Sequence, residues 1–95
     1  MTRRTTIKEL EALCERINTA TGSPEASYTR KDGKLHANVG NYHIDQAYGG
    51  VNLARMCNEG GGITCPLGLG YRTKRELANE MRAYLAGMEA KNAVD

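Results

Sequence analysis

The feature that most constrains this chain is a pair of helix-like apolar repeats, one near each end, enclosing a glycine-rich middle with alternating residues. Near the start, apolar residues recur at spacings of three and four: Ile7, Leu10, Leu13, Cys14 and Ile17. The same spacing returns near the end: Leu77, Met81, Tyr84, Leu85 and Met88. Such spacing places apolar side chains on one face of a helix, so we predict helices over 6–20 and 74–87, with a frayed tail at 91–95.

Both helices have start signals. Thr6 with Glu9, and Thr73 with Glu76, fit the capping box, in which each side chain satisfies a backbone N–H at the helix start. Gly22 followed by Pro24 ends the first helix.

The stretch between the helices alternates with period two. Asp32-Gly33 is a strong signal for a tight hairpin turn, and Gly49-Gly50 marks a second turn. We therefore predict a β-meander over 26–57 and a glycine-rich loop over 58–72. The predicted fold class is α+β: an antiparallel meander of three to four strands with both terminal helices packed on one face, in α-β-β-β-α order.

Composition limits the classes of function. Ninety-five residues form a single domain, 1–95, and a net charge of +2 does not by itself indicate a nucleic-acid partner. The start of the chain lacks the apolar segment of a signal peptide, and no stretch is long and apolar enough for a membrane span. Three cysteines without close pairing indicate free thiols, so we expect a cytoplasmic protein with no membrane partner.

Catalytic and metal chemistry find little support. His43 and Asp45 share a strand face, which His36 on the neighbouring strand could join, and they could act in acid–base chemistry or form a surface pair. The thiols of Cys57 and Cys65 lack the close ligand spacing of structural zinc sites. We predict no enzyme activity, no catalytic residues, no metal and no cofactor.

The glycine-rich loop leads into the second helix. A helix start offers free N–H groups and partial positive charge, which favour an anion, although a basic first turn on a solvated helix explains the same cations. The Walker and dinucleotide-binding patterns are absent. The candidate anion- or partner-binding residues are Gly60, Gly61, Gly62, Tyr71, Arg72, Lys74 and Arg75.

Tyrosine and arginine also suggest a protein contact. The chain has no Phe and no Trp, so its five tyrosines supply every aromatic ring. Tyr and Arg are enriched at binding hot spots, and we predict Tyr48 and Arg55 as protein-contact residues. Tyr42 and Tyr84 are assigned to the core. An exposed edge strand in the meander could also form a homodimer.

Four segments resemble small uncharacterised proteins of tailed bacteriophages and prophages: 40–50, which begins Gly-Asn-Tyr-His, the Asn58–Gly62 loop, 71–77 and 84–87. The resemblance covers most of residues 6–88 and carries no residue roles. It implies a phage accessory protein in a bacterial host cell, and thereby favours a non-catalytic binder of a host or phage protein. The alternative is nucleotide or nucleic-acid binding through the glycine-rich loop and the basic start of the second helix. The element order also parallels double-stranded-RNA-binding domains.

Overall fold

The computed structural model describes residues 4–94, with side chains as far as Lys91. The elements, in chain order, are α1 (Ile7–Thr21), β1 (Tyr28–Lys31), β2 (Lys34–Ala37), β3 (Tyr42–Ala47), β4 (Gly50–Met56), β5 (Ile63–Thr64) and α2 (Lys74–Val94). Two terminal helices with antiparallel strands between them confirm the predicted α+β class.

The start and end of α1 follow the sequence signals. The Thr6 hydroxyl accepts a hydrogen bond from the Glu9 N–H at 3.3 Å, as an N-cap does. Gly22 closes the helix in the left-handed conformation, at φ 69°. The buried face carries Leu10, Leu13 and Ile17.

The strands form two sheets instead of one continuous meander. β1 pairs only with β2, while β3, β4 and β5 form a separate antiparallel sheet in that order. The cause lies at the corner between β2 and β3, where the buried Asn41 side chain donates to the Pro24 and Glu25 carbonyls at 2.8 and 3.1 Å. These bonds turn the chain away before β3 begins, so β2 does not lie beside β3. His36 therefore lies in a different sheet from His43, not on a neighbouring strand.

Both hairpins close with a two-residue turn. Asp32 and Gly33 have φ values of 53° and 76°, as the sequence predicted. The second turn lies one residue earlier than predicted: Tyr48 and Gly49 occupy it, at φ 53° and 73°, and Gly50 is the first residue of β4.

One face of the larger sheet holds the core. Leu53 and Val51 of β4 and Tyr42 of β3 pack with the apolar stripes of both helices. The ring of Tyr42 meets that of Tyr84 edge-on at 6.1 Å, and their hydroxyls are 2.9 Å apart. The placement of both helices on one face, and of Tyr42 in the core, is confirmed.

The other face of this sheet is covered as well. Asn52, Ala54 and Met56 alternate with the helix-facing residues of β4 and are each at most 3% exposed. The Asn52 amide donates to the Gly68 carbonyl at 3.1 Å, which ties the segment after β5 to this face. The predicted loop 58–72 thus packs against the larger sheet, and it contains the short strand β5.

α2 continues past the predicted end at Gly87 to Val94 and includes most of the tail that we predicted to fray. A single glycine inside a helix costs only about 1 kcal/mol, and no proline follows to stop the helix. Asp95 lies outside the described residues. Within residues 4–94, no helix is both long enough and apolar enough to cross a membrane.

Candidate functional site

The turn between β3 and β4 places a large side chain in full solvent. Tyr48 is 96% exposed, although a tyrosine in the left-handed region costs about 1 kcal/mol relative to the asparagine, aspartate or glycine usual there. The pairing of Ala47 with Gly50 makes this a two-residue turn, a length that favours positive φ at its first central residue. The backbone conformation thus presents this ring outward.

Tyr71 packs beside that turn, and the exposed Leu69 precedes Tyr71 by two residues in the chain. The ring of Tyr71 packs edge-on against Tyr48 with centroids 5.7 Å apart, and Leu69 is 90% exposed. Tyr71 lies over the backbone of Gly50, where an added Cβ would be 2.9 Å from the Tyr71 Cβ. We call Tyr48, Leu69 and Tyr71 the tip.

A carboxylate of β3 fixes Tyr71. The Tyr71 hydroxyl donates to Asp45 at 2.6 Å, and this hydrogen bond is the main reason that the pKa of Tyr71 is raised above its ordinary value. Asp45 is therefore engaged by Tyr71. Among the described contacts it makes no hydrogen bond to His43, so the two residues that we considered for acid–base chemistry are not joined by one.

A basic cleft adjoins the tip on the helix side. It is an open cleft of about 840 Å³ beside Gly49 and Gly50, and it collects three cationic residues: Arg4, Lys74 and Arg75. Within the described part of the chain, none of the three makes a salt bridge. We call this the basic cleft.

The N-terminus of α2 borders that cleft with its cap already formed. The Glu76 carboxylate accepts from the Thr73 hydroxyl at 2.8 Å and from the Thr73 N–H at 3.2 Å, and these two bonds lower the pKa of Glu76. The Thr73 hydroxyl in turn caps the Glu76 N–H at 3.1 Å. The predicted capping box is present, and the following residues, Lys74 and Arg75, are exposed.

Arg72 is occupied within the chain. Its guanidinium forms a salt bridge with Glu80 and donates to the Gly68 and Gly70 carbonyls at 3.2 and 3.1 Å. Its backbone pairs with Val51 as an isolated bridge. Arg72 thus holds the loop against α2 and β4. Because Glu80 neutralises its charge, Arg72 is not free to bind the anion that we predicted as a candidate ligand.

The glycines of the predicted site lie elsewhere. Gly62 pairs with Cys57 just beyond the end of β4, while Arg72 pairs with Val51 near its start. At about 3.3 Å per residue, the length of β4 separates the two by roughly 15–20 Å. Gly60, Gly61 and Gly62 therefore do not join Lys74 and Arg75 in one anion site.

Arg55 also lies apart from the tip. Its guanidinium stacks over the Tyr42 ring at 5.1 Å, and it donates to the Gly40 carbonyl at 3.4 Å. Of the predicted contact residues, the structure brings together Tyr48, Tyr71, Lys74 and Arg75. Sequence reasoning missed Leu69 and Arg4. The only sequence signal for Leu69 is its position between two loop glycines, Gly68 and Gly70.

No family model matches this chain, and comparisons with curated proteins and with solved structures return no match.

The groups that could do chemistry are dispersed. Burial, aided by the nearby Glu11 carboxylate, raises the pKa of the Cys14 thiol to about 12, so this thiol stays protonated. Cys57 is exposed and Cys65 half-buried, and all three cysteines are free. Within the described residues, no group of three or more His, Cys, Asp or Glu side chains could hold a metal ion.

Proposed function

We propose that this chain is a non-catalytic binding protein that uses the tip to contact a host or phage protein in the bacterial cytoplasm. The full exposure of Tyr48 in a strained turn carries the proposal. Strain and exposure of a large apolar side chain both oppose stability, and such outliers cluster at binding sites. The resemblance to phage proteins supports the choice of host or phage partner.

The chemistry of the partner follows from the surroundings of the tip. Tyr48 and Leu69 would fill an apolar depression, because tyrosine buries a large area at small cost in side-chain entropy. Arg4, Lys74 and Arg75 line the basic cleft, which also contains Ala47 and Gly49, the chain neighbours of Tyr48. A partner surface with an apolar centre and carboxylates on that side fits this arrangement, since opposite charges favour encounter and register.

Comparative capture from a bacterial lysate tests the proposal. Wild type should retain a specific protein that the double variant Tyr48→Asn, Leu69→Ser loses by at least tenfold. Asparagine fits the left-handed turn, so the fold should survive. Leu35→Ser is the matched control, because Leu35 is 60% exposed but lies in the other hairpin. Equal capture by wild type and double variant would remove the tip from function.

A second candidate is binding of nucleotide or nucleic-acid phosphate in the basic cleft. The observation that favours it is the convergence of three cations without salt bridges beside a helix N-terminus. The set differs from the predicted one, because Arg4 joins Lys74 and Arg75 while Arg72 is engaged by Glu80.

The salt dependence of binding to a single-stranded oligonucleotide separates the two candidates. Phosphate contacts require affinity to fall steeply as salt rises, by a log–log slope of about −0.7 per contact. The double variant Lys74→Glu, Arg75→Glu should abolish such binding, and Lys31→Glu, Lys34→Glu in the other hairpin is the control. Binding that both double variants weaken equally would mean nonspecific attraction and end this candidate.

A further inference from the structure

A third surface lies along the outer edge of β3. In an antiparallel ladder, residues alternate between directing both backbone groups at the partner strand and directing both away. The phase is fixed at Tyr42, whose N–H donates to the Asn18 side chain at 2.8 Å and whose carbonyl accepts from it at 3.1 Å. Ile44 and Gln46, two and four residues after Tyr42, therefore direct their N–H and C=O groups to the same outer side.

The opposite side of the sheet confirms this phase. Val51 faces Gln46 in the register and exchanges both of its backbone hydrogen bonds with Arg72, each at 2.9 Å, on the side away from β3. No described residue bonds to the outward backbone groups of Ile44 or Gln46. The sheet thus ends in a short unpaired edge, which can accept another strand.

An acidic groove runs along this edge. It has a volume of about 280 Å³ and lies between α1, the edge of β3 and the segment at Glu25. Glu11 and Glu15, one helical turn apart on α1, border it together with Glu25, and no lysine or arginine of the described residues lines it. None of these glutamates makes a salt bridge within the described residues. We call this the acidic groove.

Two features of the groove oppose stability. Like charges four residues apart on a helix repel each other, as Glu11 and Glu15 do. His43 also lines the groove, and its Nδ1 atom is buried without a hydrogen-bond partner among the described residues. A bound segment that brings cations would relieve the repulsion between Glu11 and Glu15.

We propose that the acidic groove binds an extended, basic segment of a partner protein, which adds a strand to β3 through Ile44 and Gln46. Main-chain hydrogen bonds give such strand addition its affinity, and the side chains on alternate positions give its specificity. Lysine or arginine at alternate positions would meet Glu11 and Glu15. The surface is separate from the tip and does not depend on its role.

Charge also decides against the homodimer that the edge strand suggested. Pairing β3 with β3 of a second copy is isologous, so it would bring the same three glutamates of both copies together. Like-charge juxtaposition disfavours that complex. A basic strand from another protein meets no such repulsion.

Fluorescence anisotropy with a short labelled peptide that alternates lysine with valine tests the proposal. The double variant Glu11→Gln, Glu15→Gln should weaken binding about fivefold, as expected for losing two partly exposed ion pairs. Glu59→Gln, which removes one carboxylate outside the groove, should leave affinity unchanged. The analogue with glutamate in place of lysine should not bind.

Gln46→Pro tests strand addition itself. Proline removes the outward N–H and leaves the β3–β4 ladder intact, because Gln46 does not bond to β4. Affinity should fall about tenfold, and peptide binding to wild type should slow hydrogen exchange at the Ile44 and Gln46 amides, a readout that needs no variant. The proposal is overturned if the glutamate analogue binds equally, if those amides gain no protection, or if wild type alone self-associates and Gln46→Pro abolishes it.

Discussion

The two hairpins of this protein share one turn geometry and little else. Each closes with two residues of positive φ, Asp32-Gly33 in the β1–β2 hairpin and Tyr48-Gly49 in the β3–β4 hairpin. In the first, only Ala37 among the strand residues is buried, and no third strand pairs with it. In the second, both faces of β4 are covered.

This difference explains where the chain tolerates strain. An isolated two-stranded hairpin is only marginally stable in water, so the first hairpin needs residues that favour the turn conformation on their own. Asp-Gly is such a pair. The second hairpin is fixed by the core, by β5 and by the Arg72 bridge, so its turn can hold a disfavoured tyrosine. Packing elsewhere thus allows the second hairpin to keep a tyrosine that its turn conformation disfavours.

The largest expected effect separates the hairpins by burial. Leu53→Ala in β4 removes a side chain with no exposure, so unfolding free energy should fall by about 2–5 kcal/mol. Leu35→Ala in β2, at a position 60% exposed, should change it by less than about 0.5 kcal/mol. Urea unfolding followed by circular dichroism measures both. Similar losses would show that the β1–β2 hairpin is part of the cooperative core.

A smaller effect on unfolding free energy is expected from substitutions at the residue after each turn. Gly50 follows Tyr48-Gly49, and a Cβ there would be 2.9 Å from Tyr71 and 3.1 Å from the Arg72 carbonyl. Gly50→Ala should therefore destabilise the fold by about 1–3 kcal/mol through overpacking. Lys34 holds the equivalent place in the other hairpin and is exposed, so Lys34→Ala should be nearly neutral. Equal midpoints for both variants in urea would mean that Tyr71 does not pack on β4.

Local signals in the sequence predicted the local structure. The Asp32-Gly33 turn, the Thr6 N-cap, the Thr73–Glu76 capping box and the helix stripes depend on neighbours in the chain, and the helices follow from them. The corner at Asn41 depends on Pro24, 17 residues away, and the Arg72–Glu80 salt bridge joins residues eight positions apart; polar side chains carry no periodicity to indicate either. The Tyr48 turn was placed one residue late because tyrosine is disfavoured at positive φ. The strain at Tyr48 that made the predicted turn position wrong is also the observation on which the proposed role of the tip depends.

The two histidines, one in each hairpin, allow a comparison of how stability depends on pH. Burial lowers the pKa of His43 from its ordinary 6.5, and nearby Asp45 offsets this only in part. Below pH 6.5 the unfolded chain therefore takes up a proton that the folded chain resists, so stability should fall as pH decreases through that window and be level above it. His43→Gln should flatten this slope and His36→Gln should retain it. Urea midpoints between pH 5 and 8 measure it, and an unchanged slope in His43→Gln would assign the dependence to another group.

The smallest expected effect is a gain in stability at the tip. Tyr48→Asn relieves the left-handed strain and should raise the unfolding free energy by about 0.5–1 kcal/mol. Asp32→Asn in the matching position of the first hairpin exchanges two residues that both tolerate this conformation, so it should change stability by less than about 0.3 kcal/mol. Urea midpoints with a common slope resolve the two variants. A loss of stability in Tyr48→Asn would mean that the edge-on contact with Tyr71 stabilises the turn by more than the strain opposes it, and the tyrosine would then be structural. A gain, combined with lost capture of a partner, is the result expected of a side chain retained for binding at the expense of the fold.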